Sequence, residues 1–368
     1  MVDPAKKMTD EEILNRARDR YKIMEDAEYA IRRAALEDIK FTYNVDDGQW
    51  PADIRKARLE DQRPCLTSNK LRKFVAVVAN QERENRVAVR VRPVDDASDV
   101  AVAKILEDLI REIEYASSAD EIYASGGEQA AAGGFGYWRV LTRIPEDGFD
   151  QEIFIQHIEN QFSVYLDPRR NYCFISDFMT TEDFKAEYPD ADATDFSQLG
   201  LGEEYALWYE PSKVRVAEYF QKEPLERHLF KVQHPETGEV GVIELEDGQT
   251  AEDIDALGYI ILEQRKSKGH KVRWYKITGN QILEQEDWPG SEIPVIEVVG
   301  DKVNISGKTH KRSLIRDGKD PQRMYNYWLT TETETVSLAP KAPYIITPQE
   351  IQGFERDWDE ANRKNIPY

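Results

Sequence analysis

The feature that most constrains the fold is a long run of helical periodicity near the start of the chain. Apolar residues recur at helical spacing from Ile13 to Ile39, and acidic and basic residues fill the positions between them. Thr9 and Glu12 form a T-x-x-E capping box, whose side chains accept hydrogen bonds from unpaired N–H groups of the first turn. The pattern predicts a helix up to about Thr42 with one apolar face, which must pack along a partner surface.

The same reasoning predicts several elements in the rest of the first 144 residues. Helices are expected at residues 53–61, from Leu71 onward and at residues 97–124, whereas the alternating valines of residues 87–93 indicate a half-buried strand. The glycine-rich residues 126–136 are interpreted as a hinge between a helix and a strand at residues 137–144, and Trp50 and Trp138 as core residues.

The middle of the chain is rich in β-type sequence. Strands are predicted at residues 154–158, 164–166 and 294–299, with a short helix at 181–188 and a polar loop at 190–202. Two hairpins are predicted, 229–233 with 240–244 and 271–277 with 281–286, because turn residues separate runs of aliphatic and aromatic side chains. Long helices combined with such a region predict the α+β class.

The last part of the chain combines basic residues, one helix and several prolines. Asp320-Pro321 is a helix-start signal, and the helix is expected to end near Leu338 because prolines follow at 340, 343 and 348. A short helix is expected at residues 351–362. We interpret one segment as the only strongly basic stretch of the chain: Lys308, Lys311, Arg312, Arg316, Lys319 and Arg323.

The overall charge limits the functions that the chain supports. With 70 acidic and 49 basic residues, the net charge is −21 at pH 7. Tight DNA binding needs a basic face, because affinity comes from neutralising phosphates. The composition therefore argues against a tight DNA binder and is compatible with a protein that DNA passes without adhering, although a role in solubility explains it equally well.

The sequence contains no recognisable motif for catalysis and no segment typical of membrane insertion. The five histidines form no metal-binding or nucleophile motif, and the glycine-rich segment has no phosphate-loop lysine. Cys65 and Cys173 are predicted to be reduced thiols, and close carboxylates are expected by chance in so acidic a chain. No apolar run is long enough to span a bilayer, and no signal peptide follows Met1. We predict no enzyme activity, cofactor, metal or membrane insertion.

Several ordered motifs resemble one known family. Residues 316–328 (RDGKDPQRMYNYW), with 338–346 (LAPKAPYII) and 351–355 (IQGFE), closely resemble podovirus-type phage portal proteins. The GQWP of residues 48–51 and later short motifs, including Tyr188-Pro189, follow the same family's order and spacing. The resemblance covers nearly the whole chain, and residues 320–344 are its most specific part.

The resemblance implies a head-to-tail connector: a dodecameric ring at a capsid vertex, through whose channel double-stranded DNA enters and leaves without sequence-specific binding. It implies a wing-like α/β region at residues 1–300, a basic segment and stem helix at 301–338, and the start of a proline-rich clip at 339–368. Implied partners are the terminase, a head-completion adaptor and the capsid or scaffolding protein, and the implied location is the virion, after assembly in the host cytoplasm. Family members are longer, which implies a fragment or the product of a decayed prophage gene.

The resemblance also implies roles for particular residues. The six basic residues are expected near the channel and DNA or in contacts between subunits, although solvated charges explain them as well. Tyr325, Trp328 and Leu329 are expected to pack the stem helix against neighbouring helices. Lys341, Pro343 and Tyr344 are the candidates for clip contacts with the adaptor, with a structural turn as the alternative.

Two other classes of function stay open at this point. A monomeric scaffold or interaction module would sediment as a single subunit at every concentration. An acidic metal-dependent nuclease would cleave DNA only when a divalent cation is present.

Overall fold

A computed structural model describes residues 8–85, 88–93, 99–145, 148–191, 209–210, 213–235, 238, 240–245, 254, 258–338 and 347–356. Within these ranges the chain forms seven α-helices: α1 Asp10–Tyr43, α2 Ala52–Glu60, α3 Leu71–Glu84, α4 Val100–Ala116, α5 Ala119–Gly133, α6 Thr181–Glu187 and α7 Lys319–Leu338.

The twelve strands of the described residues form antiparallel pairs. They are β1 Phe135–Arg143, β2 Glu152–His157, β3 Val164–Leu166, β4 Tyr172–Thr180, β5 Tyr209–Glu210, β6 Lys213–Gln233, β7 Val240–Leu245, β8 Ile260–Ile277, β9 Ile282–Trp288, β10 Val295–Val299, β11 Asp301–Ile305 and β12 Lys308–Arg312. One sheet has the order β10-β1-β2, another contains β3-β4-β6-β8-β9, and β11 pairs with β12. The predicted α+β class is confirmed.

The chain divides into two compact units. Unit 1 contains residues 1–27 and 162–295, and unit 2 contains residues 28–161 and 296–368. Helix α1 contributes its first half to unit 1 and its second half to unit 2. The predicted division of the chain at residues 300 and 338 concerns regions of an assembled ring and stays a prediction.

Unit 1 is built around the apolar face of the first half of α1. This face packs with Tyr165, Phe174 and Tyr219 of the large sheet. Tyr21 meets Tyr165 and Phe174 edge-on, with ring centroids 4.9 and 5.5 Å apart. The predicted capping box is present: Thr9 N–H donates to Glu12 and Glu12 N–H donates to the Thr9 hydroxyl. The long amphipathic helix predicted from the sequence is therefore confirmed.

Unit 2 has its core where α3 and α5 meet. Leu71 and Val75 of α3 pack with Ala131 and Ala132 of α5 and with Phe41 at the end of α1. The helices approach closely because α5 carries small residues on this side. A Cβ at position 127 would lie within 1.7 Å of a Glu82 carboxylate oxygen, so a larger residue there would require the Glu82 side chain to move.

Three predictions for the first part of the chain are wrong or only partly right. Residues 88–93 form no strand, and their segment contacts α4 through Val91 N–H, which donates to Glu107. The predicted helix at 97–124 is two helices, because Ser118 has a left-handed backbone (φ 53°) that ends the first. The glycine hinge is located later than expected: α5 continues to Gly133, and Gly134 (φ 96°) ends it. Trp50 is buried as predicted, whereas Trp138 is only half-buried.

Both predicted hairpins are present, but one strand of each, β6 or β8, is much longer than predicted. Leu229 lies opposite Glu244 in the β6–β7 pair, and Lys276 lies opposite Glu284 in the β8–β9 pair. Strand β6 is 21 residues long and pairs with β8 along most of its length. Residues 263–271 of β8 are polar apart from one glycine, so this part of the strand lacks the apolar alternation that marked the predicted strands.

The C-terminal predictions are partly confirmed. Helix α7 covers the predicted residues up to Leu338, where the described range stops, and begins at Lys319, one residue before Asp320. Residues 301–312 form a hairpin that the sequence analysis missed. Of the predicted helix at 351–362, residues 351–354 are not helical and residues 357–362 lie outside the described residues. No described helix is both long and apolar enough to cross a membrane.

Candidate interaction surface on helix α7

The side of α7 that faces its own unit is polar. Four buried residues follow one another at intervals of four: Gln322, Asn326, Thr330 and Glu334. The first three bind alternate residues of the segment between α2 and α3. Lys70 N–H donates to Gln322 (3.0 Å), Ser68 N–H to Asn326 (3.1 Å) and Leu66 N–H to Thr330 (3.1 Å).

This ladder has a simple geometric basis. Four residues of an α-helix rise by about 6 Å, and two residues of extended chain advance by about 6.6 Å. One side chain per helical turn therefore meets every second N–H group of the segment at residues 66–70. Asn326 also donates to Gln49 (3.0 Å), whose amide donates to the Phe41 carbonyl (3.0 Å), so the ladder reaches the end of α1.

An ionic group closes the far end of the ladder. Arg63 donates two hydrogen bonds to the Glu334 carboxylate (2.8 and 3.2 Å), and Arg58 donates a third. Burial alone would raise the pKa of Glu334, but the hydrogen bonds from Arg63 and Arg58 outweigh it and hold that pKa below its ordinary value. Glu334 is therefore a charged anchor between α7 and the segment that follows α2.

The opposite side of α7 is exposed and carries several large apolar side chains. Trp328 is 65% exposed and Val336 is 75% exposed, and Met324 and Tyr325 lie on the same side. At 100° per residue, Trp328 points about 180° away from the centre of the polar ladder. Of the predicted packing residues, Tyr325 and Trp328 thus lie on the exposed face, and Leu329 is half-buried at its margin. An apolar face directed away from its own subunit is typical of an interface.

Two of the predicted basic residues bind a buried carboxylate. Asp38, on α1, is fully buried. It accepts hydrogen bonds from Ser313 (2.6 Å) and Arg316 (2.9 Å), and it forms an ion pair with Lys319. The Arg316 and Lys319 side chains therefore fix the start of α7 onto the second half of α1.

Three more of the basic residues also form ion pairs within the subunit. Lys311 pairs with the half-buried Glu297, whose carboxylate also accepts from the Tyr137 hydroxyl (3.0 Å). Arg312 pairs with Asp317, and Arg323 pairs with Asp320 (3.0 Å). Lys308, beside the turn of the β11–β12 hairpin, is exposed. Intramolecular pairing thus accounts for five of the six predicted cations.

A second basic stretch was missed, and the interpretation of residues 308–323 as the only one is wrong. Strand β8 carries six basic residues without an intervening acid: Arg265, Lys266, Lys268, His270, Lys271 and Arg273. Two of them are paired, Lys271 with Asp287 (2.6 Å) and Arg273 with Glu223 (3.2 Å). A count of cations along residues 265–273 was sufficient to find it.

The remaining predictions concern the clip residues, a metal site and the two cysteines. Lys341, Pro343 and Tyr344 lie outside the described residues. The part of the chain that the structure describes contains no group of three or more His, Cys, Asp or Glu residues that could hold a metal ion. Cys65 and Cys173 are free thiols.

Comparison with known proteins agrees with the sequence motifs. Residues 18–368 match the sequence model of the family described as "Phage P22-like portal protein". The chain is also 26% identical, over 359 residues, to a protein named "Portal protein" of Acyrthosiphon pisum secondary endosymbiont phage 1. That alignment covers 92% of this chain and 49% of the relative, so the chain spans about half the length of the relative. The resemblance noted from the motifs is confirmed, and the chain belongs to the phage P22-like portal protein family.

Proposed function

We propose that the chain is part of a subunit of a dodecameric portal ring, in which α7 packs against neighbouring subunits around the channel for double-stranded DNA. Portal proteins of this family are structural and non-catalytic components of the phage head-to-tail connector. The proposal assigns α7 to the stem, residues 1–300 to the wing and residues 339–368 to the clip.

The observation that carries the proposal is the reversed polarity of α7. Its polar side chains are satisfied inside the subunit, and its large apolar side chains, Trp328 above all, face outward. An isolated subunit would leave this apolar surface in water at a cost of about 25 cal/mol per Å². A neighbouring subunit that covers the surface removes that cost, which favours assembly.

The electrostatics suit a channel that lets DNA slide. Ion pairs inside the subunit neutralise Arg316 and Lys319, among others, while the whole chain keeps a net charge of −21. The paired cations at residues 311–323 offer phosphates little to bind, and the net negative charge of the chain repels them. We therefore propose passage of DNA without a lasting, sequence-specific contact.

The partners follow from the same assignment. We propose that the clip-like residues, including Lys341, Pro343 and Tyr344, contact the packaging terminase and later the head-completion adaptor. The wing is proposed to face the capsid or scaffolding protein. The location is then the portal vertex of the virion, reached after assembly in the host cytoplasm.

The test is imaging and sedimentation of the purified gene product that contains this chain, with wild type and Trp328→Ser side by side. We expect ring-shaped particles for wild type, because a head-to-tail contact that closes gives a ring, and the portal assignment predicts about 12 copies in each. The variant is expected to lose rings while its circular dichroism stays unchanged. Ile23→Ser on α1, which also removes an exposed apolar side chain, is the matched control. Wild-type protein that stays monomeric at every concentration would contradict the proposal.

A further inference from the structure

Among the described residues, helix α4 presents another exposed apolar face. Val102, Ile105, Leu106 and Leu109 follow the i, i+3, i+4, i+7 spacing of one helical stripe, and each is at least 45% exposed. The side of α4 that its own unit covers is a different one and is centred on Ala103. We call these four residues the α4 stripe. Its exposed margin carries two acidic residues, Glu112 and Asp108, of which Asp108 pairs with Arg111 (3.7 Å).

A third exposed apolar area lies on α3 of the same unit. Phe74 is 63% exposed and Val77 is 52% exposed, one turn apart on the side of α3 that faces away from its core residues. Two exposed lysines border them, Lys70 one turn before Phe74 and Lys73 one turn before Val77. We call these four residues the α3 patch. The Lys70 ammonium lies 5.5 Å from the Tyr325 ring centroid, so the α3 patch adjoins the exposed face of α7.

A ring needs two unlike surfaces on each subunit. In a cyclic assembly of more than two copies, one surface of each copy meets a different surface of the next, and the two must be complementary. The α4 stripe and the α3 patch fulfil this condition, because both are apolar at the centre and their borders have opposite charge. Acidic residues border the first and lysines border the second.

We propose that the α4 stripe of one copy packs on the α3 patch of the adjacent copy. Asp108 and Glu112 then face Lys70 and Lys73 across the contact, and the aliphatic side chains of α4 cover Phe74 and Val77. The occupant of the stripe is thus a second copy of this chain. This inference rests on the proposed ring and names the surfaces that form part of it.

Cross-linking between differently tagged copies tests the contact directly. In a Cys65→Ser background, Val77→Cys and Ile105→Cys proteins are mixed in equal amounts and treated with a short bis-maleimide, since packed helix axes lie about 8–10 Å apart. We expect the mixed cross-link to exceed either self cross-link. A mixture of Val77→Cys and Lys104→Cys is the control, because Lys104 is exposed on α4 outside the stripe.

Charge reversal provides a second measurement that does not depend on cysteine chemistry. Lys73→Glu and Glu112→Lys, made separately, are each expected to weaken self-association about fivefold in sedimentation. The double variant is expected to recover most of the loss, because it restores opposite charges across the contact. A Lys104→Glu variant makes the same charge change as Lys73→Glu and is expected to leave association unchanged.

The outcomes separate this inference from the proposed function. Absence of the mixed cross-link above the control, in any state of assembly, overturns the contact. Rings without that cross-link overturn the contact and leave the portal function standing. A mixed cross-link with charge rescue, but without rings, supports the contact and counts against the ring.

Discussion

Helices α1 and α7 are both long and amphipathic, but they use their two faces in opposite ways. The first half of α1 buries Ile13, Tyr21 and Met24 in the core of unit 1. Helix α7 buries Asn326, Thr330 and other polar residues in its unit and exposes Trp328. One helix is held by its apolar side, and the other by its polar side.

The difference has a physical consequence for how well each helix is oriented. Apolar burial is non-directional, so by itself it fixes the rotation of a helix about its axis less closely than hydrogen bonds do. Hydrogen bonds require distances near 3 Å and good angles, so the ladder from Gln322 to Glu334 fixes the rotation of α7 closely. In the proposed ring, a helix held in this way would keep its exposed side in one direction before a neighbouring copy packs against it, which would reduce the entropy cost of assembly.

The largest loss of stability is expected for a substitution in α1, the helix held by its apolar side. Tyr21→Ala should lower the free energy of unfolding by about 4 kcal/mol, because it removes a buried ring that contacts Tyr165 and Phe174. Urea denaturation followed by circular dichroism measures the loss. Ile23→Ala, on the exposed side of the same helix, should cost less than about 0.5 kcal/mol. Equal losses for the two variants would mean that α1 is not packed as described.

The next effect concerns the ionic end of the α7 ladder. Glu334→Ala should destabilise unit 2 by about 3 kcal/mol, because it leaves the Arg58 and Arg63 guanidiniums beside a buried void. Glu334→Gln keeps the size of the side chain and should cost less. The same denaturation experiment measures both variants. If Glu334→Ala is neutral, the carboxylate does not anchor α7.

The pH dependence of this anchor sharpens the comparison. The pKa of Glu334 is lower in the folded protein than its ordinary value of 4.5, so folding favours the ionised form. Its contribution is therefore complete above about pH 4.5 and declines as the pH falls through the lower, folded pKa. The stability difference between wild type and Glu334→Gln should shrink over that range. A constant difference from pH 7 to pH 3 would contradict the assignment.

The sequence predicted those elements in which apolar side chains are buried and polar side chains are exposed. It located α1, both hairpins and most of α7, because apolar periodicity, turn residues and the helix-start signal agree there with the structure. It failed at residues 88–93, where alternating valines find no partner strand, and at Ser118, whose left-handed backbone interrupts an apolar pattern that continues on both sides. Long-range pairing and single backbone dihedrals are not local properties of the sequence.

A smaller effect is expected in the middle of the ladder. Asn326→Leu should cost about 1–2 kcal/mol, because the Ser68 N–H and the Gln49 side chain lose their partner in a buried place. Hydrogen-exchange mass spectrometry should show faster exchange of the peptide that contains Ser68. Thr331→Ala, on the exposed side of the same helix, is the control and should leave that exchange unchanged.

The candidate site was only partly predictable for a related reason. Tyr325 and Trp328 were identified as packing residues through the family resemblance, and the structure places both on the exposed face. The ladder itself was missed, although polar residues spaced by four along α7 were visible in the sequence. Their meaning depends on the segment at residues 66–70, which is about 260 positions away along the chain.

The smallest effect on stability should accompany the largest effect on assembly. Trp328 is mostly exposed, so Trp328→Ser should change the free energy of unfolding of the subunit by less than about 0.5 kcal/mol. If the outward face of α7 is an interface, the same change removes a large aromatic anchor from it and should weaken association at least tenfold. Sedimentation of wild type and variant over a range of concentrations measures this, and urea denaturation measures stability. A variant that is destabilised by several kcal/mol would show that Trp328 supports its own subunit, and α7 would then resemble α1 after all. If α7 is held by its polar side and its outward side is an interface, Trp328→Ser should leave the stability unchanged and weaken association.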